Sequence, residues 1–108
     1  MIDYGLRVST FALIPGAGGM ASYWHRCVPL LEARGHVAIA IDLPADDERA
    51  GFSDYADVVV RAIGTRDDIV VVAQSLGGFT APLVCARVLV RALVLVNAMI
   101  PLPGETAG

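Results

Sequence analysis

The stretch Ile69-Val70-Val71-Val72-Ala73-Gln74-Ser75-Leu76-Gly77-Gly78 decides the fold. Ile69 to Val72 are all β-branched, which suits a pleated strand and disfavours a helix. No polar residue alternates with them, so both faces of that strand must be covered by other elements. The glycines that follow open an apolar segment from about Leu76 to Arg87 that reads as a helix, with Pro82 placed near its start, where a missing N–H costs least. A two-face-buried strand running straight into a helix is the repeating unit of a parallel α/β sheet.

The same alternation extends outward in both directions. Val8 to Ile14 is a strand stopped by Pro15-Gly16, and a helix from about Met20 to Arg34 carries Trp24, Cys27, Val28 and Leu31 at helical spacing. Pro29 is expected to bend that helix and Gly35 to stop it. Val37 to Ile41 is a second strand ending on Asp42. The acidic Asp46-Asp47-Glu48 reads as a solvated loop before a helix capped by Ser53, with Tyr55, Val58, Val59, Ala62 and Ile63 facing the core. Ala92 to Val96 is the fourth strand. Four strands joined by three helices predict one partial α/β domain over residues 1–108. It is a three-layer α/β/α sandwich around a four-stranded parallel sheet with right-handed crossovers. A doubly wound order 2-1-3-4 sets strands one and three side by side, with the ligand crevice outside their carboxyl ends. Both glycine-rich loops of the chain follow those two strands.

Composition narrows the class of partner. The chain has 108 residues, 56% hydrophobic but only 6% aromatic, and a net charge of −3. The aliphatic excess fits a sheet covered on both faces, and the lack of a basic stripe argues against nucleic acid. The apolar runs fall short of the ~20 residues that span a bilayer. Met1 to Arg7 has no signal-like apolar core, so a cytoplasmic chain with no membrane partner is expected. Cys27 and Cys85 fall in separate helices without metal-type spacing and read as reduced, mostly buried thiols.

Ala73-Gln74-Ser75-Leu76-Gly77 fits small-x-Ser-x-Gly between a strand and a helix, the pattern of a nucleophile elbow. A serine hydroxyl reacts only when it is held in the open beside a base, so the chain turns sharply and lifts Ser75 above the sheet edge. Side chains two before and two after it would collide, hence Ala73 and Gly77, while Gly78 lets the helix pack closely on the sheet. The N–H of Leu76, at the helix amino terminus, is the first donor for a developing oxyanion. The plainer alternative is a strand-to-helix turn whose serine merely caps the helix. Pro15-Gly16-Ala17-Gly18-Gly19 follows strand one, and its Ala17 N–H is the second donor, with Gly16, Gly18 and Gly19 letting the backbone approach substrate.

A rival reading uses the same loop. Gly16-Ala17-Gly18-Gly19-Met20-Ala21 matches G-x-G-x-x-A, and Asp42 ends the next strand, together a dinucleotide-binding fingerprint. A nucleotide site gives no reason for the second glycine turn with a serine at its apex, so the hydrolase reading is preferred.

With both loops placed, the chain resembles the amino-terminal half of α/β-hydrolases, particularly small esterases of the plant methylesterase and hydroxynitrile-lyase type. The likeness runs through Phe11 to Gly19, Trp24, Pro29-Leu30-Leu31-Glu32-Ala33-Arg34-Gly35-His36 and Asp42-Leu43-Pro44. It continues through Gln74-Ser75-Leu76-Gly77-Gly78 and Asn97-Ala98-Met99-Ile100-Pro101. It implies Ser75 as nucleophile, Leu76 and Ala17 as oxyanion donors, a small-molecule ester as substrate, an acyl-enzyme, and no metal or organic cofactor. Pro15 stands where such proteins usually carry His before the glycine. The family's acid and catalytic His, and the cap over its substrate, belong to later sequence that this chain does not carry. His36 is expected at the opposite end of the sheet, His25 beside Trp24 or facing solvent, and Glu105 as a solvated terminal residue. Three readings follow: an esterase completed by another chain, a non-catalytic truncated remnant, or the nucleotide module. In all three, the strand at 92–96 is an exposed apolar edge, expected to pair with a second copy or a complementary fragment.

Overall fold

The pattern read from the sequence is realised as a single parallel sheet. In the computed structural model, which describes residues 8–100, the strands are β1 (Thr10–Ile14), β2 (Val37–Ala40), β3 (Ile69–Gln74) and β4 (Val90–Val96), all parallel in the order β2-β1-β3-β4. Thr10 of β1 lies opposite Val37 of β2 and Ile69 of β3, and Ile14 lies opposite Ala73. This is the doubly wound order expected, with the direction of winding reversing between β1 and β3.

Alternation along the central strands divides the core into two layers. Ala12, Ile14, Ile69, Val71 and Ala73 point to one face, covered by α2 (Phe52–Ile63) through Ala56, Val59 and Ile63 and by α3 (Gly77–Cys85) through Ala81 and Val84. Leu13, Val70 and Val72 point to the other face and meet Trp24, with Val28 and Leu31 of α1 (Cys27–Ala33) packed beside them. Both faces of β3 are therefore buried, which is why its sequence shows no alternation.

The amino-terminal ends of the strands are tied by polar groups. Arg91 Nη1 donates to Ser9 Oγ at 3.0 Å, and Ser9 Oγ lies 3.0 Å from Asp68 Oδ2. The opposite ends of β1 and β3 run into glycine-rich segments.

Several local expectations are corrected. The first helix is not continuous: a single 3-10 turn at Ala21–Trp24 is followed by a break at His25-Arg26 and then by α1. Pro29 interrupts the expected helix rather than bending it: the break at His25-Arg26 falls at the carbonyl its ring and missing N–H would disrupt, and within α1 it sits in the first turn, where no intrahelical partner is lost. Helix α2 is capped by Gly51 rather than Ser53, with the Asp54 carboxylate accepting the Gly51 N–H at 2.8 Å. Pro82 is the sixth residue of α3, not near its start, so the carbonyl of Gly78 loses its usual helical donor. Strand β4 begins at Val90, two residues before the expected start, because β3 pairs with it from Ile69 onward through a bulge. Strand β1 begins at Thr10, leaving Val8 exposed, and Cys27, the first residue of α1, is exposed rather than buried because it lines an open apolar groove over the sheet.

One face of the sheet is unevenly covered. A single short helix, α1, lies over β2 and β1, leaving Val94 and Val96 of β4 at 44 and 39% exposure, while Leu93 and Leu95, which follow Val71 and Ala73 to the other face, are also exposed at 41 and 42%. Between α1 and β4 runs an apolar groove of about 330 Å3 floored by Leu13, Val72, Val94 and Val96.

Leu13, 1% exposed at the centre of the thinner layer, tests this packing. Leu13→Ala is expected to cost about 2–5 kcal/mol in urea unfolding. A loss of less than about 1 kcal/mol would show that the α1 layer is not packed as described.

Candidate active site

Strand β3 delivers Ser75 into a backbone conformation that strands and helices do not use. Ser75 has φ +49°, one of few non-glycine residues in the left-handed region, where an L-residue carries about 1–3 kcal/mol of strain. The surroundings hold it there. Its N–H donates to Val96 O at 3.2 Å, and its carbonyl accepts from Gly78 N–H at 3.1 Å and from Met99 N–H at 2.9 Å. The end of β4 and the residues after it thus clamp the turn from the side, while α3 continues from below.

The glycines at 77 and 78 are required by packing more specific than a general need for small residues. A Cβ on Gly77 would lie 3.0 Å from Pro15 O and 3.1 Å from Ile14 Cγ2, so the start of α3 rests on the end of β1. A Cβ on Gly78 would lie 2.0 Å from Met99 O, so Gly78 makes room for the clamping segment rather than for the sheet. Ala73 is fully buried at 0% exposure. Gln74 and Ser75 remain half-buried at the mouth of the turn.

The loop after β1 lies directly against this turn. A Cβ on Gly16 would come within 2.5 Å of Gln74 Oε1 and 3.1 Å of Ser75 Cβ. The structure therefore brings together the two glycine-rich segments that the sequence separates by almost sixty residues. Gly18 and Gly19 both take positive φ, +91° and +64°. Gly19 N–H donates to Gly16 O at 3.1 Å, folding the loop on itself, and Leu43 N–H donates to Gly19 O at 2.8 Å. Among the described residues, the N–H groups of Ala17 and Leu76 have no hydrogen-bond acceptor. Pro15, Gly16, Ala17, Gly18, Gln74 and Ser75, with Met20, Ser22 and Tyr23, line a cleft of about 480 Å3. The last three were not singled out from the sequence. The only signal for them was their position just after the loop.

The groups that should assist a serine are placed elsewhere. His36 accepts the Ser9 N–H at 3.2 Å through Nδ1 and stacks edge-on with Phe11, at the amino-terminal end of the sheet and away from Ser75. His25 is exposed on the break before α1, its Nδ1 2.9 Å from Ser22 O. Glu105 lies outside the described residues. Burial raises the thiol pKa of Cys85 at the end of α3, which keeps it protonated and a poor nucleophile. Among the described residues no group of three His, Cys, Asp or Glu side chains is arranged to hold a metal ion.

The dinucleotide reading meets two obstacles. Asp42, the residue it reserves for a ribose, accepts the Ala21 N–H at 2.7 Å and is already engaged within the protein. The helix it needs behind the glycines is a four-residue 3-10 turn, too short to present an extended dipole to a pyrophosphate.

Strain at Ser75 is directly measurable. Ser75→Gly, which is at ease at positive φ, is expected to raise stability by about 1 kcal/mol in urea unfolding, whereas Ser75→Ala keeps the strain. Equal stabilities of the two variants would show that Ser75 does not hold the left-handed conformation.

Comparisons with known proteins agree with this geometry. The model of the alpha/beta hydrolase family matches residues 11–108. Esterase PIR7B of Oryza sativa subsp. japonica is 33% identical over 91% of this chain and 41% of its own length. Norfluorocurarine synthase 1 of a Strychnos species is 34% identical over 70% of the chain and 32% of its own length. Among solved structures, a pyrethroid hydrolase from Sphingobium faniae JZ-2 superimposes with a TM-score of 0.79 at 25% identity, covering 93% of this chain and 44% of that one. The chain spans 30–42% of the length of the curated relatives it matches. Sheet order, strand-to-helix turn and family match agree: the chain belongs to the alpha/beta hydrolase family.

Proposed function

We propose that this chain carries the nucleophile side of a serine esterase, with Ser75 as the attacking residue. The observation that carries the reading is the left-handed Ser75, set against the Gly16 loop with the Ala17 and Leu76 N–H groups unpaired beside it. The Leu76 N–H belongs to a half-buried residue, where an unpaired donor is uncommon, while Ala17 is exposed at the cleft rim, and a pair so placed suits a transient negative oxygen. The relatives named as esterases supply the substrate class.

The reaction follows from that arrangement. Ser75 Oγ bonds to the ester carbonyl carbon while a base takes its proton, and the carbonyl π electrons move onto oxygen. Leu76 and Ala17 N–H groups donate to that oxyanion. The tetrahedral species collapses, the C–O bond to the alcohol breaks, and the alcohol leaves with the proton. Water then attacks the Ser75 ester by the same steps and releases the acid. No described histidine meets Ser75, so this reading assigns the general base and its acid partner to sequence outside the described residues. Without a base, the oxyanion donors alone give a residual acceleration of about 10³-fold over water.

The expected result with p-nitrophenyl acetate is slow, stoichiometric acetylation of Ser75, seen as a mass-shifted peptide, with little steady turnover. Ser75→Ala should abolish it. A folded chain that never acetylates at Ser75 would mean that the fold is kept and the chemistry is not, the remnant reading.

The bare β4 edge is the place where further chain belongs. Its outward N–H and C=O groups and its exposed Leu93 to Val96 make an apolar, pairing-competent edge. In the isolated 108-residue chain a second copy takes that place. Size-exclusion chromatography should show dimers or larger species that bind an apolar dye, and Leu95→Lys should shift them toward monomer. A monodisperse wild-type monomer without dye binding contradicts this.

A further inference from the structure

We infer that Asp42 is a positioning residue for the oxyanion loop, a role that rests on the Ser75 esterase reading. Its carboxylate Oδ1 accepts the Ala21 N–H at 2.7 Å, the short distance of a charge-assisted bond. The adjacent Leu43, buried in the core, donates its N–H to Gly19 O at 2.8 Å. Gly19 approaches so closely that a Cβ there would lie 2.8 Å from Leu43 O. Two neighbouring residues after β2 thus clasp the carboxyl-terminal end of the loop at two points.

The amino-terminal end of the loop is fixed by Gly16 against Gln74 and Ser75. Between the two fixed ends stand only Ala17 and Gly18, and Gly18, at φ +91°, has open space where its Cβ would be. Nothing packs on that apex to orient it, so the direction of the Ala17 N–H is set by its anchors. Leu43 holds one of them through backbone alone. Among the described residues Asp42 supplies the side-chain hydrogen bond at this end of the loop, fastening Ala21, the residue that starts the 3-10 turn. Without it, Gly19 keeps its backbone bonds to Gly16 and Leu43, but the chain leaving the loop at Ala21 loses its tie, and the Ala17 donor loses its aim while the sheet beneath is untouched.

The test compares wild type, Asp42→Ala and Asp42→Asn by the rate of Ser75 acetylation with p-nitrophenyl acetate, by amide exchange over residues 16–22, and by thermal melting. Loss of one oxyanion donor lowers turnover about 10²–10³-fold, so a misaimed donor in Asp42→Ala should slow acetylation at saturating ester by at least about tenfold. Half-saturation should not change. Asp42→Asn, which keeps the Oδ1 acceptor, should recover to within about threefold of wild type. Exchange should rise in residues 16–22 alone, with the melt retained. Acetylation of Asp42→Ala at the wild-type rate overturns the inference, as does loss of its native melt, which would make the role purely structural. If wild type itself fails to acetylate, the Ser75 reading fails. Exchange then decides on Asp42: unchanged exchange at 16–22 in the Ala variant overturns its positioning of the loop, and raised exchange restored by Asn upholds it.

Discussion

The clamp on the Ser75 backbone is the constraint from which the rest of the site follows. An L-residue at φ +49° returns to the common regions unless its neighbours prevent it. Here three hydrogen bonds do so, from Ser75 N–H to Val96 O and from Gly78 and Met99 N–H to Ser75 O. The turn they maintain points the serine away from the strand axis and into the cleft. It also forces the start of α3 against the end of β1, where only a residue without Cβ fits at position 77. The glycines are consequences of the clamp rather than independent features. Replacing them would displace the atoms that hold Ser75.

Sheet order supplies the second half of the site. With β1 and β3 adjacent and parallel, their carboxyl ends lie side by side, and the segments leaving them diverge to opposite faces of the sheet. That divergence opens the cleft. Gly16 then closes the distance to Ser75, because any side chain there would strike Gln74. A loop and a turn almost sixty residues apart in sequence become two walls of one crevice without any long-range pairing beyond the β1–β3 ladder. The polar cluster of Ser9, Asp68 and Arg91 ties the other end of the sheet.

Much of this was legible in the sequence for a plain reason. Strand β3 is β-branched through Ile69 to Val72 and is buried on both faces, so local propensity and tertiary environment agree. The tight strand-to-helix turn was legible because small residues flank Ser75, and they are small where Pro15, Ile14 and Met99 approach. The misread elements are those whose local signals conflict with the fold. Met20 to Arg34 looks like one helix by periodicity, but Ala21 is held by Asp42, across on the segment after β2, and the chain breaks at His25-Arg26 to bring Trp24 under the sheet. Ser53 looked like the cap, but Gly51 can adopt the extended entry and Asp54 reaches back to its N–H. Pro82 sits mid-helix because α3 starts at Gly77, which leaves the Gly78 carbonyl without its helical donor. The clamp itself was not legible. Backbone bonds from Val96 and Met99 leave no trace in side-chain type, and the left-handed Asn97 between them is the one residue whose identity fits its task.

The weakest part of the fold and the most demanding part of the site are joined. Among the described residues, strand β4 is exposed along nearly its whole length and pairs on one side only, so on packing alone it is the strand that opens first. Yet Val96, its last residue, accepts the Ser75 N–H, and Met99, three residues on, donates to the Ser75 carbonyl. Whatever covers β4 therefore does more than hide apolar surface. It removes the opening motions that would release the turn, and with them the route by which Ser75 would relax out of its strained conformation. The backbone geometry of Ser75 and the coverage of the β4 edge are one energetic problem. A chain that leaves its edge bare should lose the aim of its serine well before it loses its sheet.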